Sequence, residues 1–426
     1  MSLQYLRGFF MKTTLLTEKM EEKMALANVY KLLNEQIALL LSLEEKEFMQ
    51  QLQEFCIEQE KKIDYSEDVY VQFPALGANG YIQRLNPWKN FTQAGCKCEM
   101  LLGMNLAIMD PELDLARLAS GILCGNPTFQ HGETPELQSV QDELMSGTRI
   151  GAIGMTEANR GSDTGHMEAH CTRVDDGFLF EGTKVFTTNG PKADYFIGYG
   201  CVDNNNARET MVQAMLSREM GITTERLTIP PVPRVHIGKT YFNCLTCPDS
   251  MVIGPPEKGH DYLFDGLVPE RLAIVGSSLG IGWSALLSSV IYCSLREQFG
   301  KPIMAYQAVS FPLADLFIRL SSATITAFRI AEIYDAKILK AEKSDIAPET
   351  YKASAQWSSQ IKQLCAKLCH EITYETQQLM GGVSVTDDTR VARTAGVSQI
   401  EEVIGGSRGI QQLILSGNLS KLIKEL

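Results

Sequence analysis

The chain has 426 residues, 44% apolar and 21% charged, an ordinary globular composition with length enough for two or three domains. Its formal net charge of −12 repels phosphate backbones, which argues against nucleic acid as a partner and requires local basic residues for any anionic cofactor. Of the eleven cysteines the close sets are Cys96 and Cys98, Cys244 and Cys247, and Cys365 and Cys369; none suggests a disulfide framework or a complete metal site. Reduced thiols, no metal and a cytoplasmic setting are the expectation.

Met1 to Met11 lacks a sustained apolar stretch or a small-residue cleavage site, so no targeting segment is read there. Residues 12 to about 62 read as helical, and Ser42-Leu43-Glu44-Glu45 has capping-box spacing ahead of an amphipathic run through Phe48, Leu52, Phe55 and Cys56. Within this part Ile37 to Leu43 is apolar but too short to span a bilayer, and no membrane insertion is expected. Helical pattern resumes from about 98 to 124, is broken by Pro127 and Pro135, and returns over Glu136 to Met145.

From about 149 to 255, short runs rich in Val, Phe, Tyr and Thr alternate with turn signals at Asp175-Asp176-Gly177, Asn189-Gly190, Asn204-Asn205-Asn206 and Pro230-Pro231. Close-spaced strands without helices between them indicate a small antiparallel barrel or sandwich. Beyond 260, four long helical stretches are predicted near 260–297, 307–342, 346–380 and 397–425, with breaks at Gly300-Lys301-Pro302, Ser344-Asp345 and Gly381-Gly382. The expected fold class is α+β: an α-helical domain over 1–148, an antiparallel β-barrel over 149–257, and a four-helix bundle over 258–426.

Four motifs carry chemistry. Met155-Thr156-Glu157-Ala158-Asn159-Arg160-Gly161-Ser162-Asp163 is a loop after an apolar strand that can bring backbone N–H groups and hydroxyls to a planar, acceptor-rich ligand. Gly182-Thr183-Lys184-Val185-Phe186-Thr187-Thr188-Asn189-Gly190 alternates aromatic and hydroxyl side chains and ends in a predicted hairpin turn. Arg296-Glu297-Gln298-Phe299-Gly300-Lys301-Pro302 with Gln307, and Gln378-Leu379-Met380-Gly381-Gly382, follow.

In these motifs, and over the chain from about Leu41 onward, the sequence resembles the acyl-CoA dehydrogenase family, least so before residue 115. The resemblance implies FAD as cofactor, with Met155, Thr156, Ser162, Phe186 and Thr188 at the flavin. It assigns Arg296, Phe299 and Gln307 to the FAD of a neighbouring subunit, Gln378, Gly381 and Gly382 to its adenosine end, and Ser407 as a further cofactor contact. A guanidinium suits pyrophosphate because its planar fork meets two oxygens at once. The resemblance further implies a homotetramer built as a dimer of dimers, an acyl-CoA or acyl-carrier-protein thioester as substrate, and an electron-transfer flavoprotein as electron acceptor.

The implied reaction removes an α-proton to a base while the flavin takes a β-hydride, and a partly desolvated carboxylate suits the first task. Many relatives hold that Glu in a Tyr-Glu-Gly-Thr motif, whereas the matching stretch here is Ile404-Gly405-Gly406-Ser407. The isovaleryl-CoA and long-chain branches instead place it on the first bundle helix before an Arg, and Leu267-Val268-Pro269-Glu270-Arg271 matches that arrangement. Glu270 is therefore the expected base, with Arg271 and Ser162 as substrate contacts, and Glu402 as the next candidate. A plain helix start at Pro269-Glu270 is the competing reading.

Ala158, Arg160, Val268, Ser384 and Thr394 depart from the family pattern at carrier and FAD-edge positions. They keep open a carrier-protein-linked biosynthetic dehydrogenase. A flavin-dependent monooxygenase of the same fold is a further alternative, against which Glu270 argues. A non-catalytic flavin- or DNA-binding relative belongs to another class, and the acidic charge opposes it.

Overall fold

The structure, a computed structural model, describes residues 15–342 and 345–424; Met1 to Met11 and Ser344 lie outside the described residues. The chain begins with α1 (Glu18–Lys23), α2 (Leu26–Ile37) and α3 (Leu43–Glu60). The capping box forms as its spacing dictates: the Glu45 amide donates to Ser42 Oγ at 3.2 Å, and the Ser42 amide donates to Glu45 Oε2 at 2.8 Å. Then come α4 (Phe73–Ala78), α5 (Cys96–Met109), α6 (Pro111–Leu118), a π-helical segment over Ala119–Gly125, α7 (Asn126–His131) and α8 (Pro135–Met145). Both proline breaks are helix starts, because a missing N–H costs nothing in a first turn.

The central sheet contains β1 (Gly151–Gly154), β2 (His170–Val174), β3 (Gly177–Thr188), β4 (Tyr195–Cys201), β5 (Met211–Ser217), β6 (Thr223–Arg226) and β7 (Ile237–Pro248), with a one-turn helix, α9 (Ala207–Thr210), before β5. Its order is β1-β4-β2-β3-β7-β6, with β5 on β4. Most pairs are antiparallel, but β1 runs parallel to β4. Asp175-Asp176 closes a true hairpin, since Val174 pairs with Gly177. Asn189-Gly190 does not, which corrects the expectation. The buried Asn189 amide donates to Ala116 and Gly151 carbonyls at 2.8 and 3.0 Å and accepts from Tyr70 at 2.9 Å, so this turn ties the sheet to the first helical layer.

The last part holds α10 (Gly259–Leu295), α11 (Gln307–Tyr334), α12 (Pro348–Met380), α13 (Arg390–Val403) and α14 (Arg408–Lys424). The single terminal stretch predicted from 397 is thus two helices, split where Gly405 and Gly406 take φ of 62° and 88°. A Cβ at Gly276 or Gly280 would lie 2.5 or 2.2 Å from a carbonyl of Met100 or Met104, so these glycines let α10 lie directly on α5. The helical span Pro256–Leu295 is long and apolar enough to cross a membrane, but 94% of its most apolar window is buried inside the protein. Charges sunk in this core are paired: Arg117 meets Glu99 at 2.6 Å and Asp114 at 2.7 Å.

Candidate active site

The loop from Met155 to Ser162 is fixed from beneath. Glu157 is buried, accepts the amides of Glu168 and Ala169 at 2.6 and 2.8 Å, and meets the buried Lys184 ammonium at 2.7 Å. Beside it the Val185 amide donates to the Thr156 carbonyl at 2.8 Å, bringing the loop against the aromatic–hydroxyl strand. A bulge between Lys184 and Thr187 turns Phe186 outward with φ 56° and its side chain 62% exposed. Met155, Thr156 and Thr188 are half-buried, and Ser162 is exposed on the loop's outer edge.

A second set gathers elsewhere. Glu297–Gln298 pairs with Lys301–Pro302, and Phe299-Gly300 forms the tip with φ of 53° and 82°, a two-residue hairpin turn. Phe299 is thereby 94% exposed. Arg296, Phe299, Gln378, Gly381 and Gly382 line one cleft of about 710 Å³, whereas Gln307 is exposed between the lining residues Tyr306 and Ala308. An added Cβ at Gly381 or Gly382 would meet nothing within 4 Å, and Arg296 forms no ion pair among the described residues. Open backbone with an unengaged guanidinium suits the phosphates and adenosine end of FAD, and the outward Phe186 beside hydroxyls suits its ring.

Glu270 lies well inside α10, eleven residues after the helix begins, so it is not a first-turn residue. It is 7% exposed, and burial raises its carboxyl from 4.5 to about 7, against the lowering influence of Arg271 and Lys362. It shares a small cavity of about 70 Å³ with Met155 of the loop, Ile153, Leu263, Leu267, Asn126, Tyr199 and Gln213. On its other side stands Gly405. A Cβ there would sit 2.4 Å from Ile274 Cδ1 and 3.6 Å from Glu270 Oε1, so position 405 itself puts no side chain beside this carboxylate.

Arg271 forms no ion pair with Glu270 among the described residues, though its charge acts on that carboxyl. It donates to Ser359 Oγ at 3.3 Å and the Gly405 carbonyl at 3.4 Å, and it is not among the residues lining the cavity. Lys362, buried on α12, donates to the Gly406 carbonyl at 3.1 Å, and burial lowers its ammonium to about 8. Glu402 is directed elsewhere, into an ion pair with Arg408. Ser407 caps the start of α14 through its carbonyl, which accepts from Gln411 at 3.1 Å, and lines neither the cavity nor the cleft.

The family model "Acyl-CoA dehydrogenase, C-terminal domain" matches residues 257–419. The chain as a whole is similar to acyl-CoA dehydrogenases. It is 27% identical over 323 residues to a short-chain-specific acyl-CoA dehydrogenase of Megasphaera elsdenii, covering 74% of this chain and 79% of that one. A mitochondrial 2-methylacyl-CoA dehydrogenase of Solanum tuberosum is 26% identical over 405 residues, 90% of this chain and 92% of its own. The fold is that of a glutaryl-CoA dehydrogenase from Mycobacterium smegmatis solved with FADH2, with TM-score 0.79, 19% identity, and coverage of 90% of this chain and 96% of that one. These similarities mark the chain as an oxidoreductase of the acyl-CoA dehydrogenase kind, whose relatives are flavoproteins.

Five residues at the site are given no role by the motifs. Tyr199 and Gln213 lie on buried strands, and the signal for Gln213 is one amide in the apolar run Met211-Val212-Gln213-Ala214-Met215-Leu216. Lys362 is a lone lysine on the buried face of α12, Glu157 is a buried charge in the loop after β1, and Lys184 is its buried partner within β3.

Proposed function

We propose that the chain desaturates a short acyl thioester between its α and β carbons, with Glu270 taking the α-proton. The observation that carries this reading is one cavity lined by both the buried Glu270 carboxyl and Met155 of the flavin-loop motif. A carboxyl raised to about 7 is charged enough near neutrality to accept a proton and basic enough to hold it. Bound FAD would accept the β-hydride. Arg271 and Lys362 hold the Gly405–Gly406 loop by its carbonyls and keep positive charge near the carboxylate. The cavity's apolar side chains Ile153, Leu263 and Leu267 exclude water from the acyl group.

Phe186, Thr156 and Thr188 would contact the flavin of the same subunit, and Arg296, Phe299, Gln378, Gly381 and Gly382 the FAD of a neighbour. A homotetramer is the assembly this reading takes, and in its support the Glu270 cavity and the Arg296 cleft share no lining residue. Phe311, Ile318 and Ile325 recur every seven residues on the exposed side of α11, a stripe suited to helix packing between copies. Reduced flavin would pass its electrons to an electron-transfer flavoprotein in the cytoplasm. The test is anaerobic addition of acyl-CoA thioesters to the FAD-loaded protein. Bleaching of the flavin band, lost in Glu270→Gln and kept in Glu402→Gln, is expected. Absence of bleaching by every thioester, in protein whose flavin dithionite reduces, would overturn the reading.

A further inference from the structure

We propose that the Glu270 cavity reads a neutral hydrogen-bond donor on the substrate, an N–H or O–H group received by Gln213 with Tyr199 beside it. This rests on the acyl-thioester reading above and names the substrate class more narrowly. Both side chains are 1% exposed. The Gln213 Nε2 group donates to the Tyr199 hydroxyl at 3.2 Å, while Gln213 Oε1, wholly buried, has no partner among the described residues. A buried acceptor left unsatisfied costs stability without return in a purely structural setting. Here it borders the same cavity as the proposed base, so the missing partner is supplied from that cavity.

The rest of the lining defines the chemistry. Asn126 has its side-chain oxygen engaged by Asn86 at 2.8 Å, so it does not duplicate the Gln213 acceptor. Tyr199 is held neutral, its hydroxyl pushed above the ordinary range first by burial and then by the charge of Glu270. Among the described residues no lysine or arginine lines the cavity, so an acyl group ending in a carboxylate finds no counter-charge from them there. At about 70 Å³ the space is small beside the cleft of about 710 Å³, which restricts the acyl group to a short one. The donor belongs either to the acyl group, as a hydroxyl or amide, or to the amide nearest sulfur in the carrier arm.

The test uses FAD-loaded protein, its Gln213→Leu variant, and Tyr199→Phe as a second variant should the first not fold. Dissociation constants are measured by calorimetry and flavin bleaching is followed anaerobically. The probes are butyryl-CoA, 4-hydroxybutyryl-CoA, S-butyryl-N-acetylcysteamine and its analogue with an ester in place of the amide. Wild-type preference for the hydroxylated thioester by between about two- and tenfold, lost in the variant, assigns the donor to the acyl group. A preference of that size for amide over ester, lost in the variant, assigns it to the carrier arm. Equal affinities within each pair, hydroxylated against plain acyl and amide against ester, unchanged in the variant, overturn the proposal even where bleaching proceeds. A lost preference without any bleaching keeps the donor site and removes the desaturation reading.

Discussion

Glu270→Gln separates stability from activity, and the structure fixes the direction of both. Burial raises this carboxyl from 4.5 in the unfolded chain to about 7 in the fold. The folded state therefore binds the proton more tightly, so the contribution of Glu270 to stability is full below 4.5 and is lost as pH rises through about 7. That rise corresponds to about 3 kcal/mol of penalty for the ionised group at pH 8, most of it absent at pH 5. Glutamine keeps the shape and cannot ionise. The variant is expected to melt at about the wild-type temperature at pH 5 and about 3 °C higher at pH 8, taking about 2 cal/mol/K of unfolding entropy per residue. Calorimetric melting of both proteins across this range is the assay, with flavin bleaching as the parallel readout, where removing a general base costs about two to four orders of magnitude. Equal melting temperatures at both pH values would refute the claim that Glu270 is a desolvated acid.

Gly405→Ala places a Cβ against Ile274 and near Glu270 in a left-handed backbone; a loss of about 1–2 kcal/mol is expected in denaturant melts, with slower flavin reduction. Lys362→Met removes a positive charge that lowers the Glu270 carboxyl, so the acid limb of the pH–rate profile moves upward, and Lys362→Arg restores it. Glu157→Gln breaks a buried pair and leaves one of two backbone amides beneath the flavin loop without its acceptor; chromatography should show FAD lost while the chain stays folded by circular dichroism.

Legibility in the sequence followed the range of the forces. The Ser42 capping box was readable because its partners are three residues apart, and the Asp175-Asp176 turn because its strands pair across it. Asn189-Gly190 has the same local signature, yet its side chain is satisfied by Ala116, far away in sequence, and the strand leaves the hairpin path. The terminal helix was read as one because periodicity continues across Gly405-Gly406, while the break depends on carbonyls being held by Arg271 and Lys362. Arg271 was expected to face the substrate, and its place is set by Ser359 on a different helix. Tyr199 and Gln213 could not be placed at all from the strand pattern, since alternation marks which residues are buried but not what they meet.

The separation of the cleft at Phe299 from the cavity at Glu270 has a genetic consequence. On the proposed sharing of each FAD between two subunits, a chain damaged in one hollow still lends its intact hollow to a neighbour. Two inactive variants, one lacking the Glu270 carboxyl and one lacking the Arg296 guanidinium, would then complement each other when co-expressed. Random pairing would leave about a quarter of the sites whole. Recessive lesions in this gene would accordingly sort into two classes, each able to rescue the other and neither able to rescue itself.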